Sequence, residues 1–305
     1  MGLWILLPLF AAIIMAVVNV VDKFFVLEGE DSLNYKSFCL YSGGMQIFIC
    51  IFMFFIDPLV FNLSSLNIGF FYIFISGILF GISLILLVKA MDLEEISRVE
   101  PIYLIHTIIV PIFGLIILNE LLSFIEYMGI ILIFISSIFA TLRWEGKFAS
   151  INKTAIFSLL LAGLFFGIAN ILLKYVISDD EFSVTQTLSI RALGLFVAAG
   201  LPMLNKKNIL DLNKFFKHKS RAATLFIFET LFPLLSMYMV ILALTKLDVS
   251  VVNSFNGARP IMAVILSVSL SIILKRKSIE SSDFQNIFIK ILSGALAASG
   301  IIILA

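Results

Sequence analysis

A chain that falls into runs of about 20 apolar residues, the length that crosses a bilayer as a helix, has few folds open to it. This chain does so at about 3–25, 36–56, 69–91, 96–118, 123–142, 155–177, 186–204, 222–245, 250–274 and 286–305. No water reaches the hydrocarbon layer, so each backbone polar group there must be satisfied by the chain itself, and a single run can do that only as a helix. Composition agrees: 61% of the 305 residues are hydrophobic and 13% charged, against roughly 45 to 50% apolar in an ordinary soluble domain. The expectation is an all-α integral membrane protein of ten transmembrane helices.

The runs are not independent of one another. Glu95 to Thr107, EISRVEPIYLIHT, is echoed by Asp248 to Pro260, DVSVVNSFNGARP, at an offset of 153. Without a gap this pairs Glu95 with Asp248, Ser97 with Ser250, Glu100 with Asn253, Tyr103 with Asn256, His106 with Arg259 and Thr107 with Pro260. Asn19 to Phe24 matches Asn170 to Tyr175 at 151, Tyr41-Ser-Gly-Gly44 lies over Arg191-Ala-Leu-Gly194 at 150, and Ser76 and Ser83 lie over Glu229 and Ser236 at 153. The chain reads as five helices, twice: residues 1–145, a linker at 146–152 within a short polar stretch, and residues 153–305. An odd number of helices per copy inverts the second copy in the membrane, and the interface between inverted copies is where substrate sites form in transporters built this way. The first, third, fourth, sixth, eighth and ninth runs are expected to carry most of the cavity wall. The first run has neither a basic leader nor a small-residue cleavage site, and its partner in the sixth run marks it as part of the fold.

Charged groups inside a membrane cost roughly 2.5 to 3.5 kcal/mol each on insertion scales and therefore need a reason to be there. In the fourth run Glu100, Tyr103 and Thr107 share one helical face, with His106 at its edge. In the ninth, Asn253, Asn256 and Pro260 share the matching face, with Arg259 at the edge. The candidate substrate-binding residues are Glu100, Tyr103, His106, Glu229, Asn253, Asn256 and Arg259. Each has a structural alternative. Arg259 can pair with Glu229 or a carbonyl, Glu100 can sit solvated at the interface, and His106 can serve as hydrogen-bonded scaffold. Asn19 and Asn170 can bridge helices, and Lys23 and Lys174 can snorkel to the headgroups. Prolines 101, 111, 233 and 260 are expected to break helices and free carbonyls that neighbours or a cavity must satisfy.

Ser97-Arg98-Val99 leading through Pro111 to Asn119-Glu120, then Gly129, Arg191 and Ala258-Arg259-Pro260, together resemble the drug/metabolite transporter superfamily, in its ten-helix members with two EamA domains. The resemblance covers essentially the whole chain and implies a carrier of inverted five-helix repeats. Two departures stand out: Lys275-Arg276-Lys277 occupies the place of the second acidic residue, and Tyr41 replaces an arginine often seen in the second helix.

Several function classes are set aside by what the sequence lacks. The net charge of +1 gives no field for nucleic acid. Cys39 and Cys50 share one apolar run and read as buried thiols rather than a disulfide or metal framework. There is no Gly-rich phosphate loop and no metal-ligand spacing, so neither an enzyme nor a cofactor is expected. What remains is a secondary carrier using alternating access to move a small polar or zwitterionic metabolite such as an amino acid, alone or with a coupled proton or other ion. The mixed intramembrane charges, Glu100 and Glu229 against Arg191 and Arg259, favour a zwitterion. A flippase or exporter of an amphiphilic or lipid-linked compound and a non-transporting membrane scaffold are the alternatives. Lys and Arg crowd the loops after odd-numbered runs, which the positive-inside rule places in the cytoplasm, in a plasma-membrane protein.

Overall fold

The computed structural model describes residues 4–22, 33–57, 67–94, 99, 102–141, 152–178, 182–259, 261–262, 266 and 284–304. The described residues form helices and no strand. In chain order they are α1 (Leu6–Val21), α2 (Tyr35–Ile56), α3 (Ile68–Leu93), α4 (His106–Leu118), α5 (Phe124–Thr141), α6 (Lys153–Ile177), α7 (Val184–Leu195), α8 (Lys206–Phe215), α9 (Lys219–Phe226, resuming as Phe232–Leu244), α10 (Val249–Ser254) and α11 (Phe284–Leu304). Among the described residues, five helical stretches are long and apolar enough to cross a membrane: Tyr35–Ile56, Ile68–Leu93, Lys153–Ile177, Val184–Met203 and Lys219–Leu244. Their outer faces carry exposed Phe48, Phe52, Phe55, Ile68, Phe71 and Phe157. That surface suits lipid and would be a liability in water.

Helix starts are set by short polar side chains that take up the orphan N–H groups of a first turn. Asn34 accepts from Lys36 and Ser37 at α2, Asn67 from Phe70 at α3, Asn152 from Thr154 at α6 and Asn205 from Asn208 at α8. Ser183 and Gln186 form a reciprocal capping box at α7, as Ser123 and Glu126 do at α5. Asn119 ends α4 with φ 54°, a left-handed turn that asparagine tolerates better than most residues.

Helix interruptions fall where the sequence forces them. Pro233 has no N–H to give the carbonyl of Glu229 four residues earlier, and its ring crowds that carbonyl. There α9 widens into a π segment, Ile227–Leu231, which carries Glu229. A second π segment, Phe196–Gly200, extends α7 toward Pro202. The fourth run does not continue unbroken from residue 96: a turn at Leu104 and Ile105 precedes α4, with tight bonds from the Ile105 N–H to the Ile102 carbonyl (3.2 Å) and from Thr107 to Leu104 (2.9 Å). The ninth run breaks at the matching place, where α10 gives way to a 3₁₀ turn, Phe255–Ala258.

Close helix crossings rest on glycine. A Cβ on Gly77 of α3 would collide with the Arg191 carbonyl of α7, and one on Gly43 of α2 with the backbone of Gly200. Small residues allow this approach, and in a bilayer such packing drives helix association. The hydroxyl of Ser83 donates to the Ala162 carbonyl at 2.8 Å, joining α3 to α6, and that of Ser236 donates to the Ala11 carbonyl at 3.2 Å, joining α9 to α1. Besides α3 against α6, the main packing partners are α5 against α11, α3 against α7 and α1 against α9.

Candidate functional site

Between α1, α2, α3, α6, α7 and α9 lies a cavity of about 120 Å³, which also reaches Tyr103 and Arg259. Most of its wall is aliphatic or aromatic, including Met15, Phe38, Phe80, Leu84, Phe166 and Met237. Set into that wall are Asp22 and Asn19 from α1, Ser42 and Gln46 from α2, Asn170 from α6, Arg191 from α7, Glu229 from the π segment of α9, and Arg259.

One side of the polar set is basic. Arg191 is 2% exposed, and its Nη2 donates to Asn170 Oδ1 at 2.7 Å. Asn170 Nδ2 in turn donates to Asn253 Oδ1 at 2.8 Å, and Asn253 Nδ2 to the Val249 carbonyl at 2.9 Å. The guanidinium lies over the Phe80 ring, 4.8 Å from its centroid, a cation–π contact strengthened by the dry surroundings. Arg191 Nε is nevertheless without a partner among the described residues, and so is Nε of Arg259.

The other side is acidic. The side chains of Asp22 and Glu229 are hydrogen-bonded to each other, and Glu229 is also bonded to Ser42. Among the described residues the second Asp22 oxygen, Oδ1, has no partner, and neither has Gln46 Oε1, although Gln46 Nε2 donates to the Ser42 carbonyl at 3.3 Å. Beside this group Tyr41 and Thr230 share a hydroxyl–hydroxyl bond of 3.2 Å. Buried polar atoms in native proteins are almost all paired, so a cluster of unpaired ones around one cavity marks a place where water or a ligand is accommodated.

Of the candidates read from the sequence, Tyr103, Glu229 and Arg259 lie on this wall. His106, Asn253 and Asn256 lie outside it: His106 Nδ1 bonds the Tyr103 carbonyl at 2.9 Å, and its Nε2 lies 3.3 Å from Asn256 Nδ2. The His106 ring stacks edge-on against Phe166, 4.7 Å between centroids. These three hold the wall residues from behind. Glu100, Pro101 and Pro260 lie outside the described residues. Lys174 does not snorkel: its ammonium donates to the Leu244 and Leu247 carbonyls at 2.7 and 2.8 Å, closing the end of α9. Asn19, Asp22, Ser42, Gln46, Asn170, Arg191 and Ser236 are the polar wall residues absent from the candidate set. Their signal was readable, because Asn19 and Asp22, like Ser42 and Gln46, are spaced three or four apart and share a helical face.

No protein-family profile and no curated protein matches the sequence. Among solved structures, one crystal structure of a protein superposes with a TM-score of 0.68 at 10% identity, covering 98% of this chain and 96% of that one. A likeness at that identity establishes a shared fold over nearly the whole chain.

Proposed function

We propose that the chain is a secondary carrier of the drug/metabolite transporter type, built from two inverted five-helix repeats and moving a small zwitterionic metabolite such as an amino acid through the cavity by alternating access. The observation that carries this reading is the cavity itself, where two arginines and two carboxyls face one apolar-walled space with unpaired polar atoms of both signs. A planar guanidinium fork suits a carboxylate, and the open Asp22 oxygen suits an ammonium group.

Reciprocal contacts support the inverted repeat. In a two-fold relation, a contact between one residue and the copy of another implies the swapped contact. Ser83 bonds Ala162 while Ser236 bonds Ala11, and these pairs exchange under the offsets of 153 and 151. Gly77 meets Arg191 while Tyr41 meets Thr230, and these exchange under 153 and 150. The lysines of α8 and the segment after it, from Lys206 to Arg221, are taken as cytoplasmic by the positive-inside rule, in the plasma membrane.

A thermal-shift screen of the purified protein tests the reading. Amino acids are expected to raise the unfolding temperature of the wild type and not of Arg259→Ala. Because so much of the wall is apolar, a second reading stands beside it: an exporter or flippase of amphiphilic compounds. Stabilisation by amphiphiles with no response to amino acids would select that second reading.

A further inference from the structure

We propose that Asp22 and Glu229 form a proton-coupling site: the two carboxyls share one proton, and that proton is taken up and released during the transport cycle. The inference rests on the carrier reading above and adds to it a coupling ion and the residues that bind it. Two carboxyls joined by a direct hydrogen bond need a proton between them, since two carboxylates in contact repel and neither can donate. Asp22 is 6% and Glu229 4% exposed, so no bulk water screens that repulsion. The side chains of Asp22 and Glu229 are hydrogen-bonded to each other, and Glu229 is also bonded to Ser42.

The surroundings make this a site rather than a structural tie. Asp22 Oδ1 has no partner among the described residues although the residue lines the cavity. Glu229 sits on the π segment that Pro233 imposes, a helix irregularity that often accompanies function. Asp22 ends α1 and Glu229 belongs to α9, so relative movement of these two helices would part the pair and expose the proton. The groups facing the pair are Cys39 and Tyr41 from α2, both within electrostatic reach of Glu229. Arg191 from α7, Tyr103 and Arg259 lie across the same cavity, and His106 is set behind Tyr103. Loss of the proton leaves the pair with two negative charges facing those two arginines, and uptake returns it to one.

Infrared difference spectroscopy on the reconstituted protein tests the shared proton without any substrate. The expected result is a protonated-carboxyl band at neutral pH, shifted in heavy water, lost in both Asp22→Asn and Glu229→Gln and only displaced in Glu229→Asp, which keeps both carboxyls. A missing band, or one that survives in Asp22→Asn and Glu229→Gln, overturns the pair. Coupling is read with a pH-sensitive dye trapped in proteoliposomes supplied with an equimolar mixture of the protein amino acids. A luminal pH change accompanying uptake, absent in Glu229→Gln, supports coupling. Uptake with no pH change overturns coupling and leaves the carrier standing, whereas no uptake of any kind overturns the carrier reading, and coupling with it, even when the band is present.

Discussion

Two buried polar regions of this molecule use similar residues to opposite ends. At the start of α10, Glu120 is fully engaged: Oε1 accepts from the Val249 N–H at 2.8 Å, and Oε2 from the Ser250 N–H at 3.3 Å and the Ser250 hydroxyl at 2.8 Å. A carboxylate there also meets the positive end of the helix dipole. In the cavity, Asp22, Gln46, Arg191 and Arg259 each leave an atom unpaired among the described residues. Burial alone therefore does not separate scaffold from site here. Completeness of hydrogen bonding separates these two regions, because an unsatisfied buried group is a cost, although Thr187 Oγ1, off the cavity wall, also has no partner among the described residues.

That contrast breaks if residues of the two regions respond alike. The largest effect is expected at the cavity: Arg259→Ala should abolish uptake in proteoliposomes, and Arg259→Lys should impair it by keeping the charge and losing the fork, with membrane insertion near normal in both. If Arg259 served only as the structural partner of Glu229, the double variant Arg259→Met with Glu229→Met would restore wild-type rates, and that result would remove Arg259 from the site. At the scaffold the order reverses. Glu120→Ala should cost about 3 kcal/mol by stranding the N–H groups of α10, seen as the largest fall in thermal unfolding midpoint in detergent. Gly77→Ala comes next at about 2 kcal/mol, from the forced separation of α3 and α7. Tyr41→Phe is the mildest, about 1 kcal/mol for one neutral hydrogen bond to Thr230.

The same contrast explains what could be read from the sequence. Apolar run length located the five helical stretches long enough to cross a membrane, α2, α3, α6, α7 and α9, because hydrocarbon leaves a spanning segment no other structure. It missed α8, whose lysines interrupt any apolar window, although Asn205 caps it and its exposed Ile209 and Leu210 give it an amphipathic character. It also ran the fourth and ninth segments through Leu104 and Phe255, where the chain turns, since tight turns of an apolar chain leave no trace in composition. For the site, the repeated stripe led to Tyr103 and Arg259 and to their supports His106, Asn253 and Asn256. Which of these face the cavity depends on those turns. Asp22 was overlooked beside Lys23 at a helix end, where a charge ordinarily belongs to the interface.

The most direct measurement is uptake of a radiolabelled mixture of the protein amino acids into proteoliposomes holding the wild type or Arg259→Ala, each checked for equal insertion. The carrier account predicts saturable uptake above protein-free liposomes in the wild type and none in the variant. Equal uptake by both, or none by the wild type, would contradict it.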